Sequence, residues 1–297
     1  MAGSEAVAGS TTQAGRSEQG GGSGRFEVQD VTVRFGGLVA LDAVSLHVEP
    51  REVLGVIGPN GAGKTTLFNV CCGFQTPSNG ALRWDGTELR GLKPHRLASL
   101  GIARTLQGVG LFEGLTVLEN VATGAHSRSR SGFLASALGL PSADRDEDAR
   151  KAEAYEALTA LDAAGYADRY PGSLPYPVQK RVALARALVA KPRLLLLDEP
   201  AAGLSSDEMD ELGDLIQRLA DEMAVMLVEH HMDLVMRVCD RITVLDFGKV
   251  IANGTPDEVR NDEAVLAAYL GEDVEGHLPH PGLQGSGATP STPGKRS

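Results

Sequence analysis

The sequence predicts an α/β protein with a mainly parallel sheet core, an antiparallel β subdomain at its start and a helical subdomain set into its middle. Three observations predict it. Short strand-like segments punctuated by turn dipeptides come first, an Ala-rich block with helical periodicity follows, and apolar strands then alternate with helix-period stretches. Alternation of the last kind implies parallel strands covered on both faces.

In chain order, Phe26 to Phe35, Ala43 to Val48 and Glu52 to Ile57 are rich in Val, Leu and Phe, and two of them alternate apolar with polar residues. A sheet begins here. Asn79-Gly80 and Asp85-Gly86 bracket Ala81 to Trp84 as turn dipeptides bracket a hairpin strand, and Ile102 to Leu106 supplies another short strand. From Leu111 to Ala190 the pattern is helical, with Tyr155, Leu158 and Leu161 marking one face and Ser127 to Arg150 forming a polar excursion. Strands return at Arg193 to Leu197, Ala224 to Val228 and Ile242 to Leu245. The acidic helix Ser206 to Asp221 and the apolar run Val265 to Leu270 read as packing elements.

The chain has 297 residues, of which 42% are hydrophobic, enough for a buried core. Residues 1–24 are built almost wholly from Gly, Ala, Ser, Thr, Gln and Glu, and the stretch from 272 to 297 is rich in Gly, Pro, Ser and Thr. Neither tail has the apolar surface to offset its ordering entropy, so both are expected to be disordered, leaving residues 25–271 as the folded part. The net charge of -11 has the wrong sign for a binder of phosphate backbones, which disfavours nucleic acid as a partner. No apolar run approaches the roughly 18 residues of a membrane span, so a membrane role must come through a partner. Cys71, Cys72 and Cys239 have no metal-type spacing and make a poor disulfide framework. Buried, inert thiols in a reducing cytoplasm are expected.

Gly58-Pro59-Asn60-Gly61-Ala62-Gly63-Lys64-Thr65-Thr66 matches the phosphate-binding pattern G-x-x-x-x-G-K-S/T, directly after a strand and before a helical stretch. Its glycines let the backbone wrap a polyphosphate, the helix N-terminus adds positive potential, and Lys64 supplies a point charge between the β- and γ-phosphates. The Thr65 hydroxyl suits Mg²⁺. Such a loop serves kinases, GTPases, helicases and transport ATPases alike. Further along, Arg193 to Pro200 forms a buried-strand run that delivers Asp198 and Glu199 at its C-terminal end. Downstream of a phosphate loop, Asp198 suits the Mg²⁺ shell and Glu199 a base acting on an attacking water.

Two more polar residues stand where strands end, Gln107 and His230. Taken singly, Gln107 reads as a loop residue and His230 as a structural or surface histidine. In an open parallel sheet the ligand crevice lies outside the carboxyl ends of the strands, so Gly58, Gln107, Asp198 and His230 should converge there.

These residues resemble the ATP-binding cassette family, the nucleotide-binding subunits of ABC transporters, over residues 25–271. Walker A at Gly58 to Thr66, the Q-loop at Gln107, Walker B at LLLLDEP and the switch histidine at His230 fall in the family's order. Within the family, RFGGLVALDAVSL, RTLQGVGLFEGLTVLENV, VEHHMDLVM and ANGTPDEVR look like the LivG-like ATPases of branched-chain, or hydrophobic, amino-acid uptake. The resemblance implies a P-loop NTPase cassette with its helical subdomain at about 108–190. It implies ATP as substrate and Mg²⁺ held by Thr65, Gln107 and Asp198, with Glu199, His230, Gln107 and Lys64 catalytic. Phe35 stands where the family places an adenine-stacking aromatic, although an ordinary strand aromatic fits there too. Two transmembrane permease subunits, a second ATPase subunit and an extracytoplasmic solute-binding protein are the implied partners, at the cytoplasmic face of the membrane.

One region departs from the pattern. The family signature, Leu-Ser-Gly-Gly-Gln or Leu-Ala-Tyr-Gly-Gln, reads here Leu174-Pro175-Tyr176-Pro177-Val178. In the family's head-to-tail dimer this helix start donates a hydroxyl and backbone N–H groups to the γ-phosphate on the other subunit. Pro175 and Pro177 remove the hydroxyl and two of those N–H groups, while proline near a helix start leaves the helix intact. Losing one donor to a developing phosphoryl charge costs about 3 kcal/mol, roughly a hundredfold in rate. An asymmetric pair of sites is therefore expected, with Ser205 in place of the D-loop's usual Asp as a second departure. An exporter ATPase of the lipopolysaccharide type, a non-hydrolysing module that dimerises on ATP, and a DNA-repair or ribosome-associated cassette are the alternatives.

Overall fold

The computed structural model describes residues 24–105, 108–125 and 141–275. The first part of the chain forms β1 (Phe26–Phe35), β2 (Leu38–Val48), β3 (Val53–Ile57), α1 (Lys64–Cys71), β4 (Asn79–Trp84), β5 (Thr87–Glu88) and β6 (Ile102–Arg104). Among these, β2, β1, β4 and β5 pair antiparallel in that order, the expected β subdomain. β1 keeps one face buried despite an odd spacing of its apolar residues. Asp30 adopts a left-handed φ of 47° and makes a bulge there, so Val28 and Val31 both point inward.

Asp85 and Gly86 both have positive φ, as a two-residue hairpin turn between β4 and β5 requires. Asn79-Gly80 is a correction to the sequence reading. It lies inside β4 where that strand crosses the bulge of β1, and a Cβ on Gly80 would sit 2.4 Å from the Gln29 and Asp30 carbonyl oxygens. The glycine answers a close backbone approach rather than a turn.

The middle block contains α2 (Val117–Gly124), α3 (Pro141–Ala160) and α4 (Tyr176–Leu188), which pack against one another. Thr116 and Glu119 close a capping box on α2, fixing where it starts. The buried stripe that reaches from α3 into the following turn is Ala154, Leu158 and Leu161; Tyr155, expected on this face, is 51% exposed. The spacing of four then three residues selects alanine over the larger aromatic. The helix begins at Pro141, inside the expected polar excursion, whose residues 127–140 lie outside those described.

The last part forms β7 (Leu194–Asp198), α5 (Ser206–Ala220), β8 (Ala224–Val228), α6 (Met232–Val238), β9 (Arg241–Asp246), β10 (Lys249–Gly254), α7 (Pro256–Arg260) and α8 (Glu263–Glu275). The central sheet runs β10-β9-β3-β8-β7-β6, with all neighbours parallel except the edge pair β9 and β10. β10 escaped the sequence reading because only half-buried residues pattern an edge strand. The turn that makes it possible is Phe247-Gly248, with φ of 40° and 77°.

Each central strand sends alternate residues into two separate cores. Val53, Ile57, Leu195, Leu197, Val225 and Leu227 join the core built with α2, α3 and α4. Leu54, Val56, Leu194, Leu196, Met226 and Val228 join the other, built with α1 and the antiparallel sheet. Burial on both faces explains runs as apolar as Leu194 to Leu197. The three cysteines are free and buried, as expected. Among the described residues no helix is long and apolar enough to cross a membrane. The expected C-terminal tail is corrected at its start, because residues 272–275 complete the last turn of α8; apart from these and Gly24, the expected tails lie outside the described residues.

Candidate nucleotide-binding site

Sheet register assembles the site. Val56, Val228 and Asp198 lie side by side across β3, β8 and β7, so the phosphate loop, Glu229 and Glu199 all begin within two residues of one row. β6 continues the row on the far side, where the Thr105 N–H donates to the Leu196 carbonyl at 3.0 Å. Gln107, two residues on, lies outside the described residues.

The loop from Gly58 to Gly63 is pressed from below and open above. A Cβ on Gly58 (φ 150°) would fall 2.1 Å from the Leu245 carbonyl oxygen, and one on Gly63 (φ 102°) 2.7 Å from that of Ala40. Gly61, by contrast, has nothing within 4 Å of where its Cβ would be. The β9–β10 turn fastens the underside, because the Gly248 N–H donates to the Ala62 carbonyl at 3.0 Å while the Gly248 carbonyl accepts from the Asp42 N–H at 2.8 Å. Lys64 donates to the Gly58 carbonyl and, at 2.8 Å, to that of Pro59. α1 starts at Gly63 with no side-chain cap and no acidic residue in its first turn, where Lys64, Thr65 and Thr66 stand. A glycine-lined cradle leading into an uncapped helix start fits a polyphosphate. Phe35 ends β1, paired with Leu38 across the hairpin and 49% exposed.

At the end of β7, burial pushes the Asp198 carboxyl pKa upward and the neighbouring Glu199 charge adds to this, while Arg104 opposes it. A carboxylate short of positive charge is a fitting ligand for a divalent cation. Glu199 has a left-handed φ of 46° and is pinned by its N–H to the Val228 carbonyl at 2.9 Å. Its Oε1 lies 4.0 Å from His230 Nδ1.

Glu229 was missed in the sequence. It is fully buried; Oε1 accepts from the Ala201 N–H at 2.7 Å, and Oε2 accepts from the N–H groups of His230 and His231 at 2.8 and 3.1 Å. His231 Nδ1 lies 3.0 Å from the same Oε2. Burial alone would raise the Glu229 pKa, but these donors outweigh it and hold the carboxyl below its ordinary value. The carboxylate thus ties the end of β8, with His230, to the loop after Glu199. The available signal was an acid placed directly after the apolar run of β8.

The departure at the signature has a clear local structure. Leu174 is buried, Pro175 is the N-cap of α4 with no side-chain cap, and Pro177 occupies its first turn. Tyr176 and Val178 therefore supply the only N–H groups between Pro175 and Val178. Gln179 donates to the Leu174 carbonyl at 2.9 Å, and Lys180 donates to the Pro200 carbonyl at 2.6 Å and to that of Ala202. This ties the start of α4 to the loop after Glu199. Ser205 is the N-cap of α5 and forms a capping box with Glu208, a local reason for serine there.

Comparison with known proteins gives the family. Residues 41–202 match the ABC transporter family, and residues 249–275 match the branched-chain amino acid ATP-binding cassette transporter family. The chain is 44% identical to the high-affinity branched-chain amino acid transport ATP-binding protein BraF of Pseudomonas aeruginosa, over 83% of this chain and 98% of the relative. It is 40% identical to the corresponding protein LivG of Escherichia coli, again over 83% and 98%. Among solved structures, the ADP conformation of an ATP-binding cassette of an ABC transporter superposes with a TM-score of 0.72 at 29% identity, covering 83% of this chain and 98% of that one. A nucleotide-free ATP-binding cassette from an ABC transporter gives 0.71 at 28% identity, over 82% and 98%. The chain belongs to the ABC transporter family, as one of its ATP-binding cassettes.

Proposed function

We propose that this chain is the ATP-hydrolysing subunit of an importer for branched-chain or other hydrophobic amino acids. The observation that carries the reading is the single row of strand ends from which the phosphate loop, Asp198, Glu199 and His230 follow within two residues. Relatives named as branched-chain amino acid transport proteins support the solute class. Residues 25–271 act as one cassette with its helical subdomain at about 108–190. It sits peripherally on two transmembrane permease subunits, which receive solute from an extracytoplasmic binding protein.

In this mechanism the N–H groups of Gly58 to Thr66 wrap the ATP phosphates, Lys64 sits against the β- and γ-phosphates, and Phe35 stacks on the adenine. Thr65, Gln107 and Asp198 would hold Mg²⁺, which would offset phosphate charge there. Glu199 orients the attacking water and takes its proton, and His230 with Gln107 holds the γ-phosphate and water in place. The start of α4, short of two N–H groups, completes a slower site on a second cassette that carries its own intact signature. Closure and opening of the pair then drive the permeases.

The test is to isolate the native complex, identify its permeases and measure ATP turnover against a panel of solutes. Stimulation by leucine, isoleucine or valine is the expected result. Absence of any permease in the complex overturns the proposal.

A further inference from the structure

Immediately after β8, Glu229, His230 and His231 bring one donor atom each to within 4.8 Å of one another. The arrangement is built around one oxygen. Glu229 Oε2 has His231 Nδ1 at 3.0 Å and His230 Nδ1 at 3.6 Å, and the two imidazole rings lie 4.1 Å apart. A hydrogen bond accounts for the first contact. It does not account for the second, which is too long for one yet directs another ring nitrogen at the same buried carboxylate.

A tetrahedral metal with ligands at about 2.0–2.1 Å holds those ligands about 3.3 Å apart, and the two observed separations bracket that spacing. Two imidazoles and one carboxylate, with further positions open to water, form a donor set suited to Zn²⁺. The carboxylate is also oriented in advance, because the Ala201 N–H fixes its other oxygen at 2.7 Å. Solvent reaches the site through the histidines, 52% and 30% exposed.

We propose that Glu229, His230 and His231 form a Zn²⁺ site, and that zinc bound there clamps His230 against Glu229 and stops ATP turnover. The site stands on geometry alone; its effect on turnover rests on the role of His230 proposed above. When the ion binds, His231 Nδ1 exchanges its contact with Oε2 for a metal bond, and His230 Nδ1 closes onto the same ion. The imidazole that faces Glu199 in the free protein is then held away from the γ-phosphate.

The experiment uses the full chain and its permease complex. Zinc chloride is titrated against a chromophoric zinc competitor, with wild type and His231→Asn compared, and ATP turnover is followed across the same zinc range at saturating Mg-ATP. One equivalent should bind to wild type, at least about tenfold more tightly than to His231→Asn. Turnover of wild type should fall as that equivalent fills. His231→Asn should keep its zinc-free turnover and lose the inhibition. Equal zinc affinity in the two chains overturns the site. Tight binding with unchanged turnover overturns the clamp. A complex that never hydrolyses ATP refutes the function proposed above, and the binding titration still decides the site.

Discussion

Replacing Glu229 by Gln exchanges one buried carboxylate oxygen for an NH₂ group and should cost about 4 kcal/mol of stability. The figure follows from the donor count. Glu229 Oε1 accepts one N–H, from Ala201, while Oε2 accepts those of His230 and His231 and faces His231 Nδ1. An amide keeps one acceptor oxygen, and its lowest-cost orientation leaves that oxygen toward the histidines. The NH₂ then meets the Ala201 N–H, donor against donor, where a 2.7 Å bond had been. A lost charge-assisted bond costs about 1.5–3 kcal/mol and a stranded buried donor about 1–3 kcal/mol more.

Urea unfolding of the two chains at neutral pH measures the difference. Acid titration of stability adds a second check. The Glu229 pKa is depressed in the fold, so its stabilisation is present above the unfolded glutamate value of about 4.3 and is lost as pH falls through the folded value. The Glu229→Gln curve should be flatter than wild type over that window. A change below about 1 kcal/mol, or an unaltered acid limb, refutes the reasoning.

Other substitutions probe the loop, the signature and the thiols. Gly58→Ala puts a methyl 2.1 Å from the Leu245 carbonyl, backbone that cannot yield, so binding of a fluorescent ATP analogue should weaken at least about tenfold; unchanged affinity contradicts the cradle. Pro177→Gly restores an N–H to the first turn of α4 and should raise ATP turnover of the isolated homodimer by about tenfold to a hundredfold. No gain there removes the asymmetry argument. Burial pushes the Cys72 pKa up to about 11 and raises those of Cys71 and Cys239. All three should resist maleimide at pH 8 until the chain is unfolded in urea, and rapid labelling of the native protein disagrees with the two cores.

What the sequence made legible were the features written in short local patterns. The phosphate loop, the Leu194 to Asp198 strand and the apolar runs of β3 and β8 each carry their structure within a few residues, and the strand-end rule then brings them together. Features set by neighbours distant in sequence were less visible. Asn79-Gly80 reads as a turn until β1 is known to bulge against it, and Tyr155 fits the helical face until Ala154 is seen to touch the core. Glu229 was hidden for a similar reason. Its partners, Ala201 and the two histidines, sit on separate strand ends, and a lone Glu after a strand carries no pattern that reports a buried carboxylate.

The central claim is that Glu199, at the end of β7, acts on the water that cleaves ATP bound at Gly58 to Thr66. Single-turnover ATP hydrolysis and ATP retention, measured together on the permease complex carrying Glu199→Gln, test it most directly. Turnover should fall by about a hundredfold or more while ATP stays bound. Wild-type turnover in the variant, or loss of bound ATP along with turnover, contradicts the account.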